Sequence, residues 1–272
     1  SANASKELGR ILNALTNDID MKLFTLSGGL KDNAIPTDAE AIVIFSDTDT
    51  SGINMPDHAD ISSNFAHSSL QDLISKWNQI IRHEYTHTDP DICITLEPVD
   101  LPAATMTDAS THTVIDVLMA YPNGVQKMSK DIAGLVQTSL NLGILSTIKP
   151  DDQSTNGIVS FNSSVRSSIG SEKDALLNSL KSLATLAGGT LTVTGDYPAW
   201  EYREDSPLRD LMVKIFKQQY GNGPVIQALH AGVECGIFAS KLPGLDCVSF
   251  GPDMDDIHTT NESMNVESVR RT

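Results

Sequence analysis

Along the first 195 residues the hydrophobic pattern switches between helical and extended spacing in one order, and that order occurs twice. Leu8, Ile11, Leu12 and Leu15 recur at the spacing of one helix face within Lys6–Leu15. Residues Asp20–Leu26 alternate like a strand, Ser27-Gly28-Gly29 and Ala34-Ile35-Pro36 punctuate the chain, and Glu40–Phe45 reads as a second strand. A polar loop is expected over Ser46–Asn64. Leu70, Leu73, Ile74, Trp77, Ile80 and Ile81 then predict a second helix, and Asp91–Val99 a strand. The second pass runs through a helix at Thr113–Met119, a long strand at Leu135–Ile148 and its antiparallel partner at Gly157–Val165. It ends with a helix marked by Leu176, Leu180, Leu183 and Leu186, closed by Gly188-Gly189, and a β-branched strand at Thr190–Thr194. Two α-β-β-α-β passes predict an α+β fold, two tandem ferredoxin-like halves with antiparallel sheet and helices on one face.

After Gly195 the pattern changes. One helix is expected at Leu208–Phe216, and the apolar runs Val225–Leu229 and Leu245–Phe250 read as buried strands of an α/β sheet. Three such elements cannot enclose a core, so residues 196–272 read as an incomplete α/β segment whose remainder lies elsewhere. The first residues already carry a helical pattern and no signal-peptide pattern.

Charge narrows the partners. With 19 basic and 35 acidic residues the net charge is −16, a field that repels phosphate backbones, and aromatic residues are only 5%. Nucleic acid is not an expected partner. No apolar run is long enough for a membrane helix. Cys93, Cys235 and Cys247 form no CxxC pair and fit a reducing compartment, so a cytoplasmic location is expected.

Several short constellations invite a chemical reading. His83-Glu84-Tyr85-Thr86-His87 has the H-E-x-x-H spacing of a zincin helix. Its helix runs out at Thr88-Asp89-Pro90, however, and the plainer reading is a solvated helix end. His58-Ala59-Asp60 has the H-x-D form of two-metal peptidases but sits in a polar loop, and no Glu-Glu pair occurs anywhere in the chain. Ser27–Asn33 lacks phosphate-loop spacing and predicts a hairpin turn or bulge. Arg166, at the end of an alternating strand, either pairs with a nearby carboxylate or grips a substrate carboxylate with two hydrogen bonds. His258, beside the acidic run Asp253–Asp256, is either solvated or a metal ligand.

Longer stretches resemble one family, the Xaa-His dipeptidases, also called aminoacyl-histidine dipeptidases, which are carnosinase-like two-zinc metallopeptidases. The stretches that carry the resemblance are Gly28–Pro36, Tyr121–Val125, Thr138–Gly143, Val165–Ser167, Tyr197–Trp200, His230–Gly236, Gly251-Pro252 with His258, and Asn265–Ser268. In that family an α/β zinc domain is interrupted by a lid domain that also serves dimerisation. The resemblance implies that residues 1–195 are the lid and residues 196–272 the returning C-terminal part of the catalytic domain. It implies His258 as a zinc ligand, Arg166 and Asn33 as binders of the substrate's carboxylate and backbone, Gly232 as a backbone contact, and Glu234 as support behind the ligands. Near His258 the chain departs from the family pattern, with Asp256 where glycine is usual and Thr259-Thr260 in place of Ser-Pro.

The remaining metal ligands and the general base have no counterpart in this chain. The resemblance therefore implies a dipeptide substrate with a free C-terminal carboxylate, two zinc ions in the intact enzyme, and a homodimer through the lid. The 272 residues alone are expected to be inactive and not to hold zinc stoichiometrically. The alternatives are a stand-alone lid and dimerisation module without catalysis, or a zincin built on His83, Glu84 and His87.

Overall fold

The computed structural model describes residues 1–45, 60–100, 102, 104–149, 157–228, 234–257 and 260–272, with backbone alone over 60–69. The chain divides into two units. One comprises residues 1–127, 139–165 and 174–192, the other residues 128–138, 166–173 and 193–272.

In chain order the first group of elements is α1 (Ala4–Asp18), β1 (Met21–Gly28), β2 (Ala39–Phe45), α2 (Asp60–Glu84), α3 (Asp108–Ala120), β3 (Gly124–Met128), β4 (Val136–Ile148), β5 (Ile158–Ser167) and α4 (Gly170–Leu186). The strands form one sheet in the order β2-β1-β4-β3, with β5 also paired to β4. β1 is antiparallel to both β2 and β4. Asn3 caps α1 by accepting from the Lys6 amide at 3.2 Å. Lys6 in turn donates to Leu118 O, to Met119 O at 3.1 Å and to Tyr121 O at 2.7 Å. One ammonium group thus satisfies the carbonyls that α3 leaves open at its C-terminus. Ile11, Leu12 and Leu15 of α1 and Ile115 and Leu118 of α3 join Leu23, Leu26, Leu140 and Leu142 of the sheet in one core. Each such side chain contributes about 1.5–3 kcal/mol by leaving water.

Among the described residues every buried hydrophobic side chain belongs to this first unit. The second unit carries α5 (Pro207–Tyr220), α6 (Glu234–Lys241), β6 (Met254–Asp255), β7 (Ser263–Met264) and α7 (Val266–Arg271). α5 has full caps, with Ser206 at its N-terminus, Pro207 in its first turn and left-handed Gly221 at its end, yet it buries no residue.

The mixed α/β class and the antiparallel sheet agree with the sequence pattern; the element order differs from it. The observed run is α-β-β-α followed by α-β-β-β-α, so a doubled α-β-β-α-β unit is not what forms. Asp91–Val99 forms no strand, and side-chain bonding explains it. The Ile94 amide donates to Asn78 Oδ1 at 2.7 Å, and Ile94 O accepts from Asn78 Nδ2 at 2.8 Å. Those groups are spent on a helix side chain and cannot join a ladder. Thr190–Thr194 is likewise unpaired. β3, whose residues are all exposed, had no hydrophobic signal to announce it.

The expected loop Ser46–Asn64 lies outside the described residues up to 59, and residues 60–64 are already helical. In the second unit, residues 225–228 and 245–250 are not strands. Val225 is 82% and Phe250 64% exposed. Apolar strands of this kind need neighbours on both edges, and the unit supplies none among its described residues.

Candidate functional site

Loop 29–38 connects β1 to β2, as a hairpin turn of the kind expected, and holds Asn33. Its outer residues 30–35 are all exposed, with Leu30 at 90%. Its backbone, by contrast, is held tightly. Gly29 has φ +69°, and a Cβ there would lie 2.0 Å from Gly143 O. A Cβ on Gly143 would lie 2.4 Å from Asp32 O and 2.5 Å from Lys31 O. Loop and strand therefore touch main chain to main chain, a contact only glycine permits. Asn141 completes the clamp by donating from Nδ2 to Asp32 O at 3.0 Å and to Ala34 O at 2.7 Å, the carbonyls on either side of Asn33. Next to it, Leu142 gives its amide to Asn123 Oδ1 at 2.9 Å, and its carbonyl accepts from the buried Asn3 Nδ2 at 2.9 Å.

Arg166 is the penultimate residue of β5 and lies in the second unit. It is half-buried, and no carboxylate pairs with it among the described residues. The local ion pair that the sequence left open is thus not formed among the described residues. A polar network pins the strand end beside it. Thr138 Oγ1 shares a 2.8 Å hydrogen bond with Ser167 Oγ and donates to Glu172 Oε2 at 2.6 Å. Gln137 Nε2 donates to both Glu172 oxygens at 2.9 and 2.8 Å. The Ser168 amide donates to Gln137 O at 3.0 Å.

Within the second unit a groove of about 1060 Å³ is lined by Trp200, Tyr202, Phe216, Tyr220, Val248 and Phe250, among others. Two of its lining residues bond each other: Asp246 Oδ1 accepts from Ser206 Oγ at 2.7 Å, and Oδ2 accepts from the Leu208 amide at 2.9 Å. The Ser206 hydroxyl, and next the Leu208 amide, hold the Asp246 carboxyl below its ordinary range.

His258 and Gly232 lie outside the described residues, as does His58. Glu234 opens α6 and is exposed. Among the described residues no three His, Cys, Asp or Glu side chains converge on one point. The described residues therefore do not fit a zinc centre, and no chemical step on this chain is assigned to zinc.

The zincin alternative fails on geometry. α2 ends at Glu84, so His87 falls in a turn beyond the helix and shares no helix face with the exposed His83. Glu84 is taken by Arg10, whose Nη1 and Nη2 donate to its two oxygens at 2.7 and 3.0 Å. The Arg10 hydrogen bonds hold that carboxyl below its ordinary range, as an ion pair and not as a base for water.

The sequence missed the roles of Asn141 and Glu172. Both lie in or beside stretches that carried the family resemblance, but neither has a residue type or spacing that distinguishes a clamp from an ordinary polar strand residue. No helix among the described residues is long and apolar enough to cross a membrane.

No family model matches the chain. It is 32% identical over 267 residues to the cytosol non-specific dipeptidase of Escherichia coli strain K12, a match that covers 98% of this chain and 50% of that protein. The crystal structure of aminoacylhistidine dipeptidase from Vibrio alginolyticus matches it with a TM-score of 0.83 at 30% identity, over 99% of this chain and 50% of that one. The chain thus spans about half the length of the relatives it matches. In sequence and in fold it is similar to one half of an Xaa-His dipeptidase-like peptidase.

Proposed function

We propose that the chain works as one half of a zinc-dependent cytoplasmic dipeptidase that cleaves dipeptides ending in histidine. In this reading residues 1–195 are the lid, shared in a homodimer. Residues 196–272 are the closing part of the catalytic domain. The observation that carries the reading is the likeness itself, which runs end to end through 98% of this chain yet meets only half of its relative.

Each residue then has a task suited to its chemistry. Arg166, half-buried with no carboxylate partner among the described residues, takes the free carboxylate of the dipeptide; a guanidinium fork matches two carboxylate oxygens. Asn33, exposed on a clamped loop, offers an amide donor and acceptor to the dipeptide backbone. Gly232 lets the main chain approach the substrate. His258 contributes one imidazole to the metal site, with Glu234 behind it. When bound, the two zinc ions would supply an activated water, held chiefly by residues outside this chain. This chain's share is to bind the dipeptide, fix its carboxyl end and shield it from water.

The second unit supports the same division of labour. Among the described residues its apolar runs 225–228 and 245–250 and the face of α5 have no sheet to pack on, and we assign that face to the other half of the catalytic domain. The 272 residues alone then hydrolyse nothing. The test is cleavage of Xaa-His dipeptides with added zinc, by the whole protein and by the 272-residue chain. Turnover by the whole protein alone is expected; clear turnover by the short chain sinks the reading. In the whole protein, Arg166→Lys should raise KM about thirtyfold by loss of the two-pronged contact, while His83→Ala should change neither kcat nor KM by more than about twofold.

A further inference from the structure

Loop 29–38 combines two properties that are seldom found together. Its side chains at 30–35 reach solvent, as in a loop free to vary. Its main chain is fixed from below by a glycine–glycine contact and by the Asn141 side chain, whose Oδ1 also accepts from Asn3 Nδ2 at 3.5 Å. Gly143 leaves no room for a Cβ against Lys31 and Asp32, so the loop rests directly on β4. Asn141 uses its amide group on the two carbonyls flanking Asn33, at 3.0 and 2.7 Å. Its own backbone neighbour Leu142 is locked in turn by Asn3 and Asn123. A surface loop that served only to connect β1 with β2 would gain little from such fixing, because exposed loops tolerate variation and motion. Fixing a main chain beneath an exposed amide is what a binding contact requires, since a contact that is already ordered loses less entropy when the ligand arrives.

We infer that Asn141, seated by Gly143, is a positioning residue that presents Asn33 to the ligand. The inference rests on the reading of Asn33 as a substrate contact and deepens it. Asn141 does not touch the dipeptide. It sets the height and tilt of the Asn33 amide by holding the carbonyls of Asp32 and Ala34. Asp at this position keeps the shape but loses both donors, so it cannot do the same work.

The experiment uses the whole protein carrying Asn141→Ala, Asn141→Asp, Asn33→Ala and the Asn33→Ala/Asn141→Ala pair. Two measurements are made: hydrogen exchange of the backbone amides at 29–35, and kcat and KM for an Xaa-His dipeptide. Asn141→Ala and Asn141→Asp are each expected to speed exchange at 29–35 about tenfold and to raise KM about tenfold, with kcat within about twofold. In the double variant the KM should equal that of Asn33→Ala alone, because Asn141 acts only through Asn33. A merely structural role would lower kcat and the melting temperature together and would multiply with Asn33→Ala; that outcome overturns the inference. So does unchanged exchange at 29–35 in Asn141→Ala. If the unsubstituted protein cleaves no dipeptide, the dipeptidase reading falls, and the exchange result alone then decides whether Asn141 clamps the loop.

Discussion

Glu172→Ala is expected to remove about 2–4 kcal/mol of stability. Among the described residues the Glu172 carboxylate accepts a bifurcated hydrogen bond from Gln137 Nε2, at 2.9 and 2.8 Å to its two oxygens, and one from Thr138 Oγ1 at 2.6 Å. Thr138 is 3% and Gln137 8% exposed, so neither finds water easily when its acceptor is removed. A hydrogen bond to a charged group is worth about 1.5–3 kcal/mol, and stranding a buried donor costs about 1–3 kcal/mol. Glu172 is itself half-buried, and water entering its place brings the sum to the lower end of that range. Thr138 keeps its 2.8 Å bond to Ser167, which offsets part of its loss. Thr138→Val, of nearly equal volume, should cost about 1–2 kcal/mol. Because the two variants remove one shared bond, their combination should fall short of additivity by about 1 kcal/mol. Melting of the whole protein measures this, at about 2–4 °C per kcal/mol. Loss of less than about 0.5 kcal/mol in Glu172→Ala, or strict additivity, would refute the network as the element that pins the end of β5. If it does pin Arg166, Thr138→Val should also raise KM for dipeptide while sparing kcat.

Asp246 gives a pH signature. Its carboxyl is held below the ordinary range by Ser206 and Leu208, so its contribution is fully present above the unfolded value near 3.9 and is lost as pH falls through the lower folded value. Asp246→Asn should flatten the acid limb of the melting-temperature profile below about pH 4 and lower the plateau near neutrality, where the carboxylate contributes in full; an unaltered limb counts against the α5 cap. Glu84→Gln should loosen the junction of α1 and α2, where Arg10 spans it, by about 1 kcal/mol or less because the pair is exposed. It should not change zinc content, which metal analysis of the purified protein would reveal. The 272-residue chain should bind an apolar-surface dye at least about threefold more strongly, mole for mole, than the whole protein; equal binding would mean that the apolar face of the second unit stays open in both.

What the sequence revealed and what it hid follow from one physical distinction. α1, β1, β2, the β4–β5 hairpin and α4 each carry enough apolar periodicity to state both their period and their buried face, and all of them appear. The strand at 91–99 has the composition of a strand, but strand identity depends on a partner, and Asn78 takes that place. β3 forms on the strength of its neighbours, with no buried residue of its own. The site shows the same division. The chemistry of Arg166 called for a carboxylate partner without saying whether a local one or a ligand's, and Asn33 was singled out by the family resemblance alone. The clamp beneath Asn33 was not legible, since it depends on which carbonyls an ordinary asparagine meets across more than a hundred residues of chain.

The second unit turns that distinction into an argument about function. Its helices are locally well specified: α5 has Ser206, Pro207 and Gly221 at the positions where those residues stabilise helix ends, and α7 has Asn265 accepting from the Glu267 and Ser268 amides. Local signals of that quality need no tertiary partner to be written into a sequence. The apolar residues between them do need one. Val225, Ile226, Phe238 and Phe250 are each more than half exposed, and burying each would yield about 1.5–3 kcal/mol. A chain with 35 acidic residues has ample means to keep a free surface polar, and it does not do so here. Caps on the helices together with bare apolar runs between them support the proposal that this unit is one side of an α/β domain whose other side comes from elsewhere. The relatives, twice as long, have the room to supply that side.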